Sequence, residues 1–226
     1  MMPQPVRLFH MTAIDNLAAI CRSGALLSKN AGAQLGVNYQ NIAHVGAQSS
    51  RSGRSVIDPP GGTVHDFVPF YFAPRSPMLF AINSGRVDGC ELRQADILHF
   101  ETTVEAVTAA NYDFLFYDRN ATLRYSEAFN DLALLPTKVA WDLITESPQL
   151  DGYCQYFHNT SSNQRYIDRM ERRQAEFLVK QRVELQCMTR IGVIDPAKAQ
   201  IVAEVLEEAD IHLPVEVKSD WYFLGQ

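Results

Sequence analysis

The run Ala175-Glu176-Phe177-Leu178-Val179 carries a single charge inside an otherwise apolar strand pattern, and period-2 alternation places Glu176 on the face opposite Ala175 and Phe177. A carboxylate on such a strand must be paired, neutralised, turned to solvent from an edge, or aimed into a cleft. In a cleft it can stabilise positive charge that develops during a reaction. Phe9-His10-Met11-Thr12 follows the same alternation, so an imidazole and a hydroxyl share one face at a strand end and could hold a polar ligand. The competing reading of His10 is a half-buried structural histidine. In Val68-Pro69-Phe70-Tyr71-Phe72, Tyr71 offers a rigid ring with a polar tip, suited either to a flat ligand or to core packing.

Other chemistries find no residues to carry them. The patterns G-x-G-x-x-G and G-x-x-x-x-G-K-[ST] are missing, so neither a dinucleotide fold nor a P-loop is expected. G-x-S-x-G, H-E-x-x-H and D-x-D-x-D-G are missing as well. Cys21, Cys90, Cys154 and Cys187 are widely spaced, with no C-x-x-C pair and no Cys–His cluster. They read as small core hydrophobes rather than zinc ligands, and no metal is expected. A nuclease would need clustered carboxylates for a two-metal site.

Holding Glu176, His10 and Tyr71 in place takes strands. Val6–Met11, Phe67–Ala73, Ile97–Thr102, Phe114–Tyr117, Gln174–Val179, Glu184–Val193 and Val215–Lys218 read as strands from their β-branched and aromatic content. Helical patterns cover Asp15–Ser23 with Gly24 at a left-handed cap, Pro77–Asn83 behind an N-cap at Ser76, Val104–Ala110, Ser126–Leu135, Lys138–Ile144 and Ala197–Ala209. Leu26–His65, rich in Gly, Pro, Ser and Gln and without a period, is longer than a structureless connection normally runs, and Glu146–Gln164 is a second long loop. Strands and helices mix without regular βαβ alternation, so the expected class is α+β.

The 226 residues, 46% of them hydrophobic, suit one globular domain with its own core. The formal charge of -6 has the wrong sign for a protein that coats nucleic acid by bulk electrostatics. The distribution narrows that exclusion. Residues 1–86 balance at +4, leaving -10 for the rest, and 164–182 form a second basic island at +3. Such islands are either solvated, salt-bridged faces or places to capture a short single strand. No apolar run nears the ~20 residues of a membrane span, and Met1-Met2-Pro3-Gln4-Pro5 does not open a signal peptide. A soluble cytoplasmic protein with no membrane partner is expected.

Five segments, in order, carry a family resemblance: Phe9-His10-Met11-Thr12-Ala13-Ile14-Asp15-Asn16-Leu17; Ile42-Ala43 leading to Arg51; Pro59-Pro60-Gly61-Gly62-Thr63-Val64-His65-Asp66-Phe67-Val68-Pro69-Phe70-Tyr71-Phe72-Ala73-Pro74-Arg75-Ser76-Pro77-Met78-Leu79; Gln174-Ala175-Glu176-Phe177-Leu178-Val179; and Asp220-Trp221-Tyr222. Together they resemble the DarT-type DNA ADP-ribosyltransferases, toxins of DarT–DarG toxin–antitoxin pairs. The resemblance spans nearly the whole chain.

It implies a single-domain ADP-ribosyltransferase fold, an α+β split mixed sheet with NAD, a substrate, in its cleft. A loop over about 28–65 would cover NAD, and one over about 146–175 would meet the acceptor. The implied NAD positions are His10, Met11, Thr12, Ala19, Leu27, Arg51 and Tyr71: His10 and Thr12 near a ribose, the Met11 backbone near the carboxamide, Tyr71 near nicotinamide. Arg51 and Glu176 are the implied catalytic pair, Glu176 bonding the nicotinamide ribose and stabilising the oxocarbenium charge as nicotinamide leaves. The family gives the arginine the acceptor's proton, whereas a guanidinium is a poor base and better suited to clamp pyrophosphate or an anionic base. Arg54, Arg75, Arg165, Arg169, Arg172 and Arg173 become a DNA-contacting rim. The implied acceptor is a base in single-stranded DNA, since a ring nitrogen reacts only out of the stack. Thymidine is the acceptor in the branch this wording resembles, guanosine in another, with RNA or protein as further alternatives. The implied partner is a DarG-like antitoxin whose macrodomain removes the adduct, and a monomer is expected. Outside enzymes, a nucleotide-binding module without turnover is the alternative, and intact His10, Arg51, Tyr71 and Glu176 argue against it.

Overall fold

In the computed structural model, which describes residues 1–43, 45–146 and 158–223, the apolar runs pair into one eight-stranded mixed sheet and a small second one. The strands are β1 (Arg7–Ala13), β2 (Ala25–Leu27), β3 (Phe67–Tyr71), β4 (Ile97–Thr103), β5 (Phe114–Tyr117), β6 (Ala128–Phe129), β7 (Glu176–Lys180), β8 (Arg182–Glu184), β9 (Arg190–Val193) and β10 (Val215–Val217). The large sheet runs β10-β9-β4-β1-β3-β7-β5-β6, and β2 pairs with β8 apart from it. The helices are α1 (Leu17–Ser23), α2 (Lys29–Gln34), α3 (Val45–Gly53), α4 (Pro77–Asn83), α5 (Val104–Ala109), α6 (Leu135–Lys138), α7 (Trp141–Ile144), α8 (Arg169–Arg172) and α9 (Pro196–Glu208).

Alternation along the strands fills both faces of the sheet. Leu8, Phe70, Phe100 and Phe177 pack with Leu17 and Ile20 of α1 and Val202 and Leu206 of α9. Phe9, Met11 and Ala13 pack instead with Leu79 and Ile82 of α4 and the closing Trp221-Tyr222-Phe223. The sheet is weakest at its middle. Every residue of β1 pairs with β4, whereas β1 meets β3 at one register position, Phe9 opposite Tyr71. β3 then pairs along its length with β7, placing Tyr71 opposite Glu176. This parting of β1 from β3 is the split at which the cleft opens.

Four sequence expectations change. Lys138–Ile144 is not one helix: α6 ends at Lys138, Val139 is extended, and α7 begins at Trp141. The span Leu26–His65 is not structureless: it holds β2, α2 and α3, with Ser28 capping α2 through the Ala31 N–H. Ser126–Leu135 is not a helix. Ala128 and Phe129 are taken up by the open edge of β5, opposite Tyr117 and Phe116, and regular helix begins only at Leu135. Glu184–Val193 is not one strand: Glu184 ends β8 in the small sheet and β9 in the large one begins at Arg190, with a 3-10 turn at Leu185–Cys187, anchored by buried Leu185, carrying the chain between them. Gly24 caps α1 in the left-handed region as expected. Of the cysteines, Cys21 is buried while Cys90 and Cys187 are half-buried; Cys154 lies outside the described residues.

Candidate active site

The segment before β3 shapes one wall of the cleft. Gly62 sits at φ +100°, where a Cβ would come within 2.7 Å of Asp66 Oδ2. That close approach lets the Asp66 carboxylate accept from the Thr63 N–H at 2.7 Å and its hydroxyl at 3.1 Å, and from Asn30 of α2 at 2.7 Å. The long Pro59–Leu79 motif therefore ties the covering segment to the strand that carries Tyr71. Beneath it lies a cavity of about 410 Å³ between β1, β3, β7 and residues 37–51, a size ordinary for a small-molecule site. His10, Met11, Thr12, Leu27, Arg51, Tyr71 and Glu176 all line it. Ala19 does not: it is half-buried on α1 and takes no part in the lining.

Glu176, 1% exposed, is held from two sides. Arg51 Nη1 donates to both carboxylate oxygens at 3.2 and 2.9 Å, and the Ala121 N–H donates to Oε1 at 3.2 Å. Burial works against the Arg51 charge, but the facing carboxylate and its hydrogen bonds outweigh it and hold the guanidinium above its ordinary pKa. Arg51 is a fixed cation and not a base. Its buried Nη2 has no hydrogen-bond partner among the described residues, a donor suited to an anionic oxygen.

The polar residues around the pair have defined donors and acceptors. His10 reaches across the split so that Nδ1 lies 2.8 Å from the Pro69 carbonyl. A carbonyl only accepts, so Nδ1 carries the proton and Nε2 is left as an acceptor. Burial, partly offset by that bond, lowers the His10 pKa and keeps the ring neutral. Asn16 Nδ2 donates to Thr12 Oγ1 and to the Gln40 carbonyl, each at 3.0 Å, orienting the hydroxyl and pinning the cover over the cavity. The Tyr71 hydroxyl, its pKa pushed up by burial and by Glu176, donates to Met78 Sδ at 3.7 Å. His65 Nε2 donates to Gln48 Oε1 at 3.0 Å on the same wall.

On the sheet face shared by Met11, Tyr71 and Glu176, His99 is 1% exposed, with Nε2 3.2 Å from the Pro74 carbonyl, and burial pushes its pKa down to about 4. The unfolded ring titrates near 6.5 and binds the proton first as pH falls. Stability is therefore complete above about pH 6.5 and declines down to about pH 4, by about 3 kcal/mol from this group. Urea unfolding at pH 7 and pH 4.5 should show most of that loss, and His99→Phe should flatten it; equal stability at the two pH values would contradict the buried neutral ring.

The expected DNA rim is reduced by the fold. Arg173 is 4% exposed, with Nη1 donating to the Leu143 and Ile144 carbonyls and Nη2 to that of Arg75 at 3.4 Å, so it is an internal strut. Arg54 donates to the Leu123 and Ser126 carbonyls and the Ser126 hydroxyl, and its guanidinium faces the Tyr117 ring. It too is occupied within the fold. Arg165 faces Asp142 and Glu146, and Arg172 pairs with Asp168 at 2.7 Å. Arg169 donates to the His158 carbonyl at 2.8 Å and lies over Tyr166, while Arg75 is half-buried. Residues 147–157 of the expected acceptor loop lie outside the described residues. Asn16, His65, Asn120 and the Ala121 N–H belong to the site without having been singled out. Asn16 lies in the 3-10 turn Ile14–Asn16 that follows β1, and it reaches back to Thr12 at the strand's end, a contact that no periodicity in the sequence signals. Among the described residues, no group of three His, Cys, Asp or Glu could hold a metal ion, and no helix is long and apolar enough to cross a membrane.

Residues 9–223 match the family model described as DarT, ssDNA thymidine ADP-ribosyltransferase. The chain is 34% identical over 223 residues to a DNA ADP-ribosyl transferase of Thermus sp. (strain 2.9), covering 98% of each. Its fold is similar to that of Thermus sp. 2.9 DarT in complex with ADP-ribosylated ssDNA, with a TM-score of 0.86 at 33% identity over 99% of both chains. The same Thermus protein in complex with NAD+ gives 0.82 at 32% identity, over 99% of this chain and 100% of that one. With a sheet split beside a buried arginine–glutamate pair and a family match from end to end, the chain belongs to the DarT family of DNA ADP-ribosyltransferases.

Proposed function

We propose that the protein transfers ADP-ribose from NAD to a thymidine base in single-stranded DNA, releasing nicotinamide, and that the Arg51–Glu176 pair is its catalytic centre. The observation that carries this reading is the ion pair itself, buried in the cavity wall, with one guanidinium nitrogen unpartnered among the described residues. His10, Thr12 and Tyr71 would hold NAD with its ribose at Glu176, since a neutral imidazole acceptor and an oriented hydroxyl suit sugar hydroxyls. The transfer breaks the bond between ribose C1′ and nicotinamide and joins C1′ to a ring nitrogen of the base, which gives up its proton. Glu176 stabilises the cation at the ribose as that bond breaks. Arg51, held charged, steadies Glu176 and offers Nη2 to pyrophosphate or to the base as it becomes anionic. The proton passes to solvent water. A single strand is the form in which the base edge is exposed. The segment 28–65 covers NAD and 146–175 meets the acceptor. The protein works in the cytoplasm as a monomeric toxin, checked by a DarG-like antitoxin that reverses the modification.

Nicotinamide release from NAD tests the acceptor. It should rise on adding a thymidine-containing single-stranded oligonucleotide and stay at background with the same oligonucleotide lacking thymidine, its duplex, or its RNA counterpart. Equal stimulation by the thymidine-free strand would overturn thymidine as acceptor, and a guanosine-dependent rise would reassign it.

A further inference from the structure

We propose that Tyr125 is a stacking platform for a nucleobase next to the acceptor in the DNA strand, an inference that rests on DNA being the acceptor. Two successive turns, closed by Leu123 N–H to the Asn120 carbonyl and Ser126 N–H to the Leu123 carbonyl, each at 3.1 Å, lead from the cavity wall to the surface. Asn120 and Thr122, both in the first of these turns, line the cavity, and the Ala121 N–H between them holds Glu176. Three residues past Thr122, Tyr125 is 61% exposed. A strand that places one base against Glu176 has its neighbour within reach of that ring.

The ring is prepared for stacking. The Arg119 guanidinium lies 5.7 Å from its centroid, and that guanidinium is fixed by Asp118 and by Asp168 at 2.9 Å, whose carboxylate also accepts from Arg172 at 2.7 Å. Arg54 clamps the turn from inside through the Leu123 and Ser126 carbonyls. Backbone and ring are therefore both held before a ligand arrives, which limits the entropy lost on binding. Ile167 and Met170, one residue before and two after Asp168 in the chain, are 50% and 38% exposed. Arg124, adjacent and exposed, makes no ion pair among the described residues and is available to a phosphate. An aromatic face beside a free cation is the recurring grip on single strands. With Arg54 and Arg173 spent inside the fold, and Arg165 and Arg172 facing carboxylates, stacking has the larger share of that grip here.

The test measures transfer to a single-stranded oligonucleotide by the full chain and by Tyr125→Ala and Tyr125→Trp. Each protein is also assayed with an abasic site replacing, in turn, each base flanking the thymidine. Tyr125→Ala should raise KM for the intact oligonucleotide about tenfold, the size of one base–aromatic stack, and Tyr125→Trp should restore it. The abasic site at one flanking position should raise the parent's KM by a similar factor and leave that of Tyr125→Ala unchanged. NAD affinity equal to the parent's reports that the variants are folded. Parent-like KM in Tyr125→Ala, equal damage by Ala and Trp, or additive effects of Tyr125→Ala and the abasic site would overturn the platform alone. A parent that modifies no oligonucleotide would overturn DNA as acceptor and the platform with it.

Discussion

Glu176→Gln should lower ADP-ribosyl transfer about 10²- to 10³-fold, the usual cost of removing one group aimed at transition-state charge, while NAD affinity changes little. The amide oxygen of glutamine can still accept from Arg51 and from the Ala121 N–H, so the cavity keeps its shape. What disappears is the negative charge facing the ribose as nicotinamide departs. The loss therefore belongs in kcat, with KM for NAD near the parent value, the pattern of an interaction made in the transition state. Single-turnover transfer and equilibrium NAD binding separate the two. A variant that binds NAD weakly but transfers at the parental rate would remove Glu176 from the chemistry.

Arg51→Met should both abolish transfer and destabilise the fold. It leaves a carboxylate that is 1% exposed with a single backbone N–H for company. Breaking a buried pair by removing one partner costs about 3–5 kcal/mol, which for a chain of this size lowers Tm by about 10 °C. The double variant Arg51→Met/Glu176→Gln should recover much of that stability and none of the activity, because the unpaired charge has gone along with the catalytic one. Thermal unfolding of the parent, both single variants and the double variant gives the cycle. Additive losses would mean that the 2.9 Å contact contributes no coupling.

The strands that frame the cleft were legible because their signals are local. Alternation in β1 and β7 identified His10 and Glu176, the ring and hydroxyl of Tyr71 stood out in β3, and the register aligns Tyr71 with Glu176 across β3 and β7. Partners were not legible, because they are set by distant segments. Arg51 and Arg54 are three residues apart, yet one faces a carboxylate 125 positions away and the other is consumed by the Leu123 and Ser126 carbonyls. A charge count treats them alike. The same count took Arg173 for a surface cation, although its neighbours along the chain give no hint of the α7 carbonyls that bury it. Ser126–Leu135 has helical spacing, but the vacant edge of β5 captured Ala128 and Phe129, and pairing outranked propensity. The Ala121 N–H that holds Glu176 has no side-chain signature at all.

Tandem mass spectrometry of a single-stranded oligonucleotide carrying one thymidine, incubated with NAD and either the parent or Glu176→Gln, tests the central claim most directly. One ADP-ribosyl group should be found on the thymidine base after reaction with the parent and be essentially missing after reaction with Glu176→Gln. An unmodified oligonucleotide with the parent, or an adduct that Glu176→Gln forms equally well, would contradict it.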